Sequence, residues 1–257
     1  MFANLLKSEL FKLKNLRAFK ILFVLLTANA LLTIAVAAAI REFLAALGMP
    51  DIFSGINLYY AALGDTIVMV IAGSVLAGVF LCGDFENKTL QTEIASGYSR
   101  LFVIAAKTAV YFFALAVLLI PSAILTAEAL LILPEFGMVF TPEILLHMAA
   151  VFAVMILVYA ASLSICVPFA FVLKRSSAVI ALSLIVLLFG VTLLSSIGQF
   201  VPWIGTVLSW LPFTLPDTVL ASGVLPIDLL RAADICLGFI LLMAAAAYGM
   251  FRRADLK

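Results

Sequence analysis

Residues 108–133 read TAVYFFALAVLLIPSAILTAEALLIL, with a single charged side chain, Glu128. A helix rises about 1.5 Å per residue, so this run reaches about 39 Å, more than the ~30 Å hydrocarbon layer of a bilayer. Five further runs approach the same length and apolarity: Ile21–Ile40, Ala61–Cys82, Leu145–Val172, Ala178–Ile197 and Leu230–Phe251. Of the 257 residues, 66% are hydrophobic and 11% charged. Soluble domains are roughly 45–50% apolar and about 25% charged, so this chain has more apolar surface than one domain can hide. A soluble enzyme is excluded, as is a disordered chain, which needs low hydrophobicity and high charge. The expectation is one all-α membrane domain, residues 1–257, with six transmembrane helices.

The charges set the orientation. Lys7, Lys12, Lys14, Arg17 and Lys20 precede the first run, and Lys88, Arg100 and Lys107 separate the second from the third. Lys174 and Arg175 lie between the fourth and fifth, and Arg252, Arg253 and Lys257 follow the sixth. Only Arg41 and Arg231 fall on the other side, where Glu42, Asp51, Glu135, Glu143, Asp217 and Asp228 gather. By the positive-inside rule both termini are expected in the cytoplasm, in a multi-pass plasma (inner, cytoplasmic) membrane protein. Ala35-Val36-Ala37 has the look of a cleavage site, but the apolar run exceeds the ~7–15 residues of a signal peptide core, so no cleavage is expected. A net charge of +1 gives no basic surplus for nucleic acid.

Three segments between the runs carry information. Residues 1–20 are amphipathic at helical spacing, with Phe2, Leu5, Leu6, Leu10, Leu13 and Leu16 on one stripe and Asn4, Lys7, Ser8, Lys12 and Asn15 on the other. Such a basic helix is expected in the headgroup plane. Residues 83–100 form a polar connection in which Asn87 can N-cap a short helix from Lys88, Gly97 can end it and Ser99 can cap the next one. Leu90 and Ile94 lie one turn apart and offer an apolar knob among charges, which favours docking of a partner over a merely solvated loop. Residues 198–228 are too broken to span: Pro202 suits a helix start, Pro212 a stop, and Pro216 a second start ending near Gly223. Trp203 and Trp210 fit an interfacial belt, and the segment reads either as an anchor or as a lid.

Gly73, Ser74, Ala77 and Gly78 give small-xxx-small spacing, suited to a packed helix or a dimer face. Pro121 should bend the third run and Pro168 the inner end of the fourth. Asp65, Glu128, Arg231 and Asp234 sit near outer ends of their runs, and Arg231 can pair with Asp228 or Asp234. Glu128 is the best candidate for a cavity-facing acid. A phosphate loop, a nucleophile elbow and a metal cluster are all missing from the sequence, and three unpaired cysteines and one His147 suggest neither disulfides nor a zinc site. The chain is expected to bind no metal or cofactor and to be no enzyme.

Glu86-Asn87-Lys88-Thr89, followed by Ser99-Arg100 and Lys107, resembles the E-x-(G/x)-T … S-R … K pattern of type-2 ABC exporter permeases. Glu9-Leu10-Phe11-Lys12-Leu13-Lys14 looks like the elbow helix of that family, and Phe251-Arg252-Arg253-Ala254-Asp255-Leu256 is similar to its basic tail. Lys88 stands where the family often has Gly, and Ala254 intervenes before Asp255. The resemblance runs the length of the chain. It implies a half-transporter that pairs with a second permease subunit, identical or different, and with separate cytosolic ATPase subunits that hold the ATP and Mg. Glu86, Asn87, Lys88, Thr89, Leu90, Gln91, Glu93, Ile94 and Arg100 would then couple to the ATPase. Glu9, Lys12 and Lys14 would belong to the elbow, and Pro202, Trp203, Trp210 and Pro216 to an outer re-entrant hairpin before the last span. The implied activity is export of an amphipathic or lipid-like substrate, such as an antimicrobial peptide or other antibiotic, as in bacteriocin-immunity permeases. The competing reading is a stand-alone secondary transporter or channel, which would call for midplane charges or repeated halves.

Overall fold

A computed structural model describes residues 2–252 except 50, 88, 90–96, 134, 135, 137 and 222. The chain is all-helical among those residues, and six helices are long and apolar enough to cross a membrane. They are Arg17–Ala46, Ile56–Glu86, Arg100–Ile132, Pro142–Leu173, Ser176–Phe200 and Pro226–Met250, called the first to sixth spans below. The described helices extend most of the runs expected from apolarity alone. The third starts eight residues before Thr108, because Ser99 accepts a hydrogen bond from the Phe102 N–H at 3.3 Å and so caps it two turns earlier.

Burial divides the spans into two groups. In the second, third and fourth, 61% of the most apolar window is buried, against 17% in the first, fifth and sixth. The second, third and fourth form the core, and the others lie around it with apolar faces outward. That outward surface is what a bilayer requires and what water would not tolerate. The chain is a multi-pass membrane protein in architecture.

Small residues make the core close. Gly73, Ser74, Ala77 and Gly78 are all buried. A Cβ on Gly73 would collide with Leu163 Cδ1 of the fourth span, and one on Gly78 with Ile180 Cγ1 of the fifth. The small-residue face is therefore used inside the chain, between neighbouring spans. Tyr111 and Tyr159, among the largest fully buried side chains, donate to the Gly73 carbonyl at 3.0 Å and the Leu63 carbonyl at 2.6 Å.

Two spans are interrupted for visible reasons. The second breaks at Gly64-Asp65, where Asp65 caps the next helical segment through the Val68 N–H and accepts from Asn29 Nδ2 at 2.8 Å. Asp65 is thus a structural cap tying the first span to the second. Farther along, Ala77–Leu81 widens into a π turn. The fourth span breaks at Ser164-Ile165, four residues before Pro168, whose missing N–H leaves the Ser164 carbonyl without its helical donor. The third span, by contrast, stays helical through Pro121.

After the fifth span the chain turns at extended Val201 into a short helix, Pro202–Leu208, started by proline at its first turn. It folds back along the span it leaves, with Gly198 and Gly205 in backbone contact. A one-turn 3-10 segment, Pro212–Thr214, leads to Leu215–Val219, which ends earlier than the Pro216–Gly223 helix expected.

Candidate functional site

The densest chemistry lies where the N-terminal helix, Phe2–Asn15, crosses the basic ends of the second and third spans. Lys107 is two turns inside the third span, and its side chain is 0% exposed. The sequence reading places it at the head of the third apolar run; the helix start at Arg100 sets it two turns deeper, in the packed interior. Its ammonium donates to Glu9 Oε2 at 3.0 Å and to Asp84 Oδ2, and stands 5.9 Å from the centre of the Phe80 ring. Glu9 is equally buried, and Asp84 nearly so. Lys12, partly exposed, donates to Glu9 Oε1 at 2.7 Å and to Asp84 Oδ2 at 3.1 Å. Thr89 closes the network by donating to Asp84 Oδ1 at 2.6 Å.

Two acids and two bases balance, and each of the four carboxylate oxygens accepts at least one hydrogen bond. That balance makes burial of the group tolerable, because an unpaired ion in a low-dielectric interior costs several kcal/mol. The cluster has little capacity for acid–base chemistry, since every group is already committed. Its capacity is mechanical: it joins three elements far apart in sequence. Neighbouring contacts extend the joint. Glu86 Oε1 accepts from the Ser176 N–H at 2.7 Å and so caps the fifth span. Cys82 and Phe85 touch the fourth span through the Ala170 carbonyl and the Phe171 ring.

The structure thus gathers Glu9, Lys12, Thr89 and Glu86 from the residues singled out in the sequence. Asp84 and Lys107 complete the cluster, and the sequence reading assigns neither a partner. A usable signal existed: Glu9 falls on the Leu5–Leu13 line of the amphipathic helix, the line that is buried. An acid on an apolar stripe needs a buried base, and Lys107 heads an apolar run. Asn87 ends the preceding helix, Cys82–Glu86, through its N–H to the Gly83 carbonyl at 2.9 Å. Gly97 has the left-handed φ of 93° expected of it. Lys88, Leu90, Gln91, Glu93 and Ile94 lie outside the described residues. Arg100 begins the third span, and Lys14 is exposed.

The amphipathic helix ends sooner than the reading of residues 1–20 implies. Leu16 is extended, with ψ 117°, and the first span begins directly at Arg17. On the far side of the bundle, Trp203 and Trp210 are exposed, and Pro216 is buried. Arg231 lies over the Trp210 ring at 5.3 Å and forms no ion pair with Asp228 or Asp234 among the described residues. Asp228 instead accepts from the Leu225 N–H at 3.3 Å and helps to open the sixth span. Glu128 is exposed on the third span. His147 bonds the Tyr60 hydroxyl at 2.7 Å and is accounted for by packing.

Neither a protein-family model nor a curated protein matches the sequence.

Proposed function

We propose that the chain is the membrane-spanning subunit of an ATP-driven exporter of the type-2 ABC class, acting with a second permease subunit and with separate cytosolic ATPases. The observation that supports this reading is the buried Glu9–Lys107–Asp84–Lys12 cluster. It makes one mechanical unit of the N-terminal helix and the basic ends of the second and third spans. The connection around 83–100 leaves from that unit, and Thr89 within it donates to Asp84 Oδ1. A partner gripping the connection would pull on both core spans together. ATP-driven closure of the partner would then change access to an apolar pathway, suited to an amphipathic or lipid-like substrate. In this proposal the basic end is cytoplasmic, the 83–100 segment is the coupling element and 198–228 is the outer hairpin.

Two experiments test it. Leu90→Asp combined with Ile94→Asp should abolish co-purification of a nucleotide-binding partner and reduce permease-stimulated ATP hydrolysis at least tenfold. Unchanged partner binding sinks the coupling assignment. Separately, single cysteines introduced by Lys88→Cys and Trp203→Cys should label from opposite faces with a membrane-impermeant thiol reagent, since Cys82, Cys166 and Cys236 are buried. Labelling from one face overturns the topology.

A further inference from the structure

The break at Leu16 opens a groove of about 610 Å³ between the N-terminal helix, the first span and the third span. Leu10 and Leu13 form one wall, Phe19 and Phe23 the second, and Phe113 and Val117 the third. Lys14 and Lys20 also line it, and no carboxylate does. Both lysines are exposed, and neither has an ion pair among the described residues. Lys12, two residues before Lys14, is by contrast committed to Glu9 and Asp84. Phe113 and Val117 lie six and ten residues beyond Lys107 on one face of a helix, about 9 and 15 Å farther toward the bilayer centre. The groove therefore has two uncompensated cations at one end and an aromatic-aliphatic channel running inward.

We propose that the groove holds a glycerophospholipid with an anionic headgroup. Its phosphate sits at Lys14 and Lys20, and one acyl chain lies against Phe113 and Val117. An apolar solute alone would leave both lysines without a counter-charge, and a soluble anion would leave the channel unfilled. Charge and shape together select a lipid of the leaflet at the basic end of the bundle. The bound lipid fills the space left by the break and braces the N-terminal helix along its Leu10–Leu13 wall. Lipid binding here requires membrane insertion alone and stands whether or not the chain drives export.

Fluorescence quenching by brominated lipid tests it on the full-length chain. Phe113→Trp supplies the reporter in a background of Trp203→Phe and Trp210→Phe. Vesicles combine phosphatidylcholine with brominated phosphatidylglycerol, or the reverse. At the groove, phosphatidylglycerol should bind about five- to tenfold more strongly than phosphatidylcholine. Lys14→Gln with Lys20→Gln should bring the ratio close to one, and Lys14→Arg with Lys20→Arg should keep it. A reporter placed by Leu237→Trp on the exposed face of the sixth span should show a ratio near one throughout. The proposal is overturned by a ratio near one in the parent, by a preference that survives removal of both lysine charges, or by an equal preference at the two reporters. Relief of quenching by millimolar inorganic phosphate overturns it too, since the site would then serve the free anion.

Discussion

Lys107→Met is expected to lower the stability of the folded chain by about 3–5 kcal/mol, because it leaves Glu9 and Asp84 buried with Lys12 as their only base. A second substitution should repair much of the loss. With Asp84→Asn added, one acid and one base remain, Glu9 and Lys12, already 2.7 Å apart. Replacing a buried pair as a unit is often close to neutral, whereas orphaning one partner is not. The double variant should therefore be more stable than Lys107→Met alone, with a coupling energy of about 1–3 kcal/mol in the cycle. The three buried thiols provide the measurement: a thiol-reactive dye reports unfolding as Cys82, Cys166 and Cys236 become exposed. A single variant within about 1 kcal/mol of the parent would show that the cluster does not hold the spans together.

The second large effect concerns Gly78. A methyl group there would collide with Ile180 Cγ1 and stand 2.8 Å from the backbone oxygen of Ser176. The isoleucine can turn aside, but the backbone cannot without moving the start of the fifth span. Gly78→Ala should cost about 1–3 kcal/mol, and Gly78→Leu should prevent the second and fifth spans from packing. At Gly83, about a turn and a half away in the same span, an added Cβ would meet nothing within 4 Å. Gly83→Ala should be neutral or stabilising by up to about 1 kcal/mol, through helix propensity alone. Equal losses at the two glycines, in the same thiol-exposure assay, would rule out close span contact as the reason for Gly78.

The six spans were legible because apolar length is a one-dimensional property: residues 108–133 announce a spanning helix without reference to any other segment. Local signals were legible for the same reason. Ser99 caps the third span, Gly97 takes a left-handed turn, and Pro202 opens a short helix, each by rules that act within four residues. What the sequence did not disclose was pairing across distance. Arg231 has acids three residues away on either side, yet it stacks on Trp210, brought near by the fold-back of the 198–228 segment. Glu9 and Lys107 were each visible as charges, but only the packing of the N-terminal helix on the third span makes them partners. The small residues of the second span were correctly expected to pack closely, and the choice between a neighbour in the same chain and a second copy depended on the fold. A pathway of the kind proposed was not legible, because aliphatic lining is common to every face of such a bundle.

The salt link between Glu9 and Lys107 also imposes a schedule on biosynthesis. The two residues are 98 positions apart. At about 5–20 residues per second of translation, Glu9 is made roughly 5–20 s before its partner. During that interval the N-terminal helix carries an acid on its apolar stripe with no base from the third span to receive it. Until then Lys12, three residues on in the same helix, is the base within reach of Glu9, and the full ion cluster can close only after the third span has been synthesised. The first span is thus threaded early, and the cluster that joins its preceding helix to the bundle closes late.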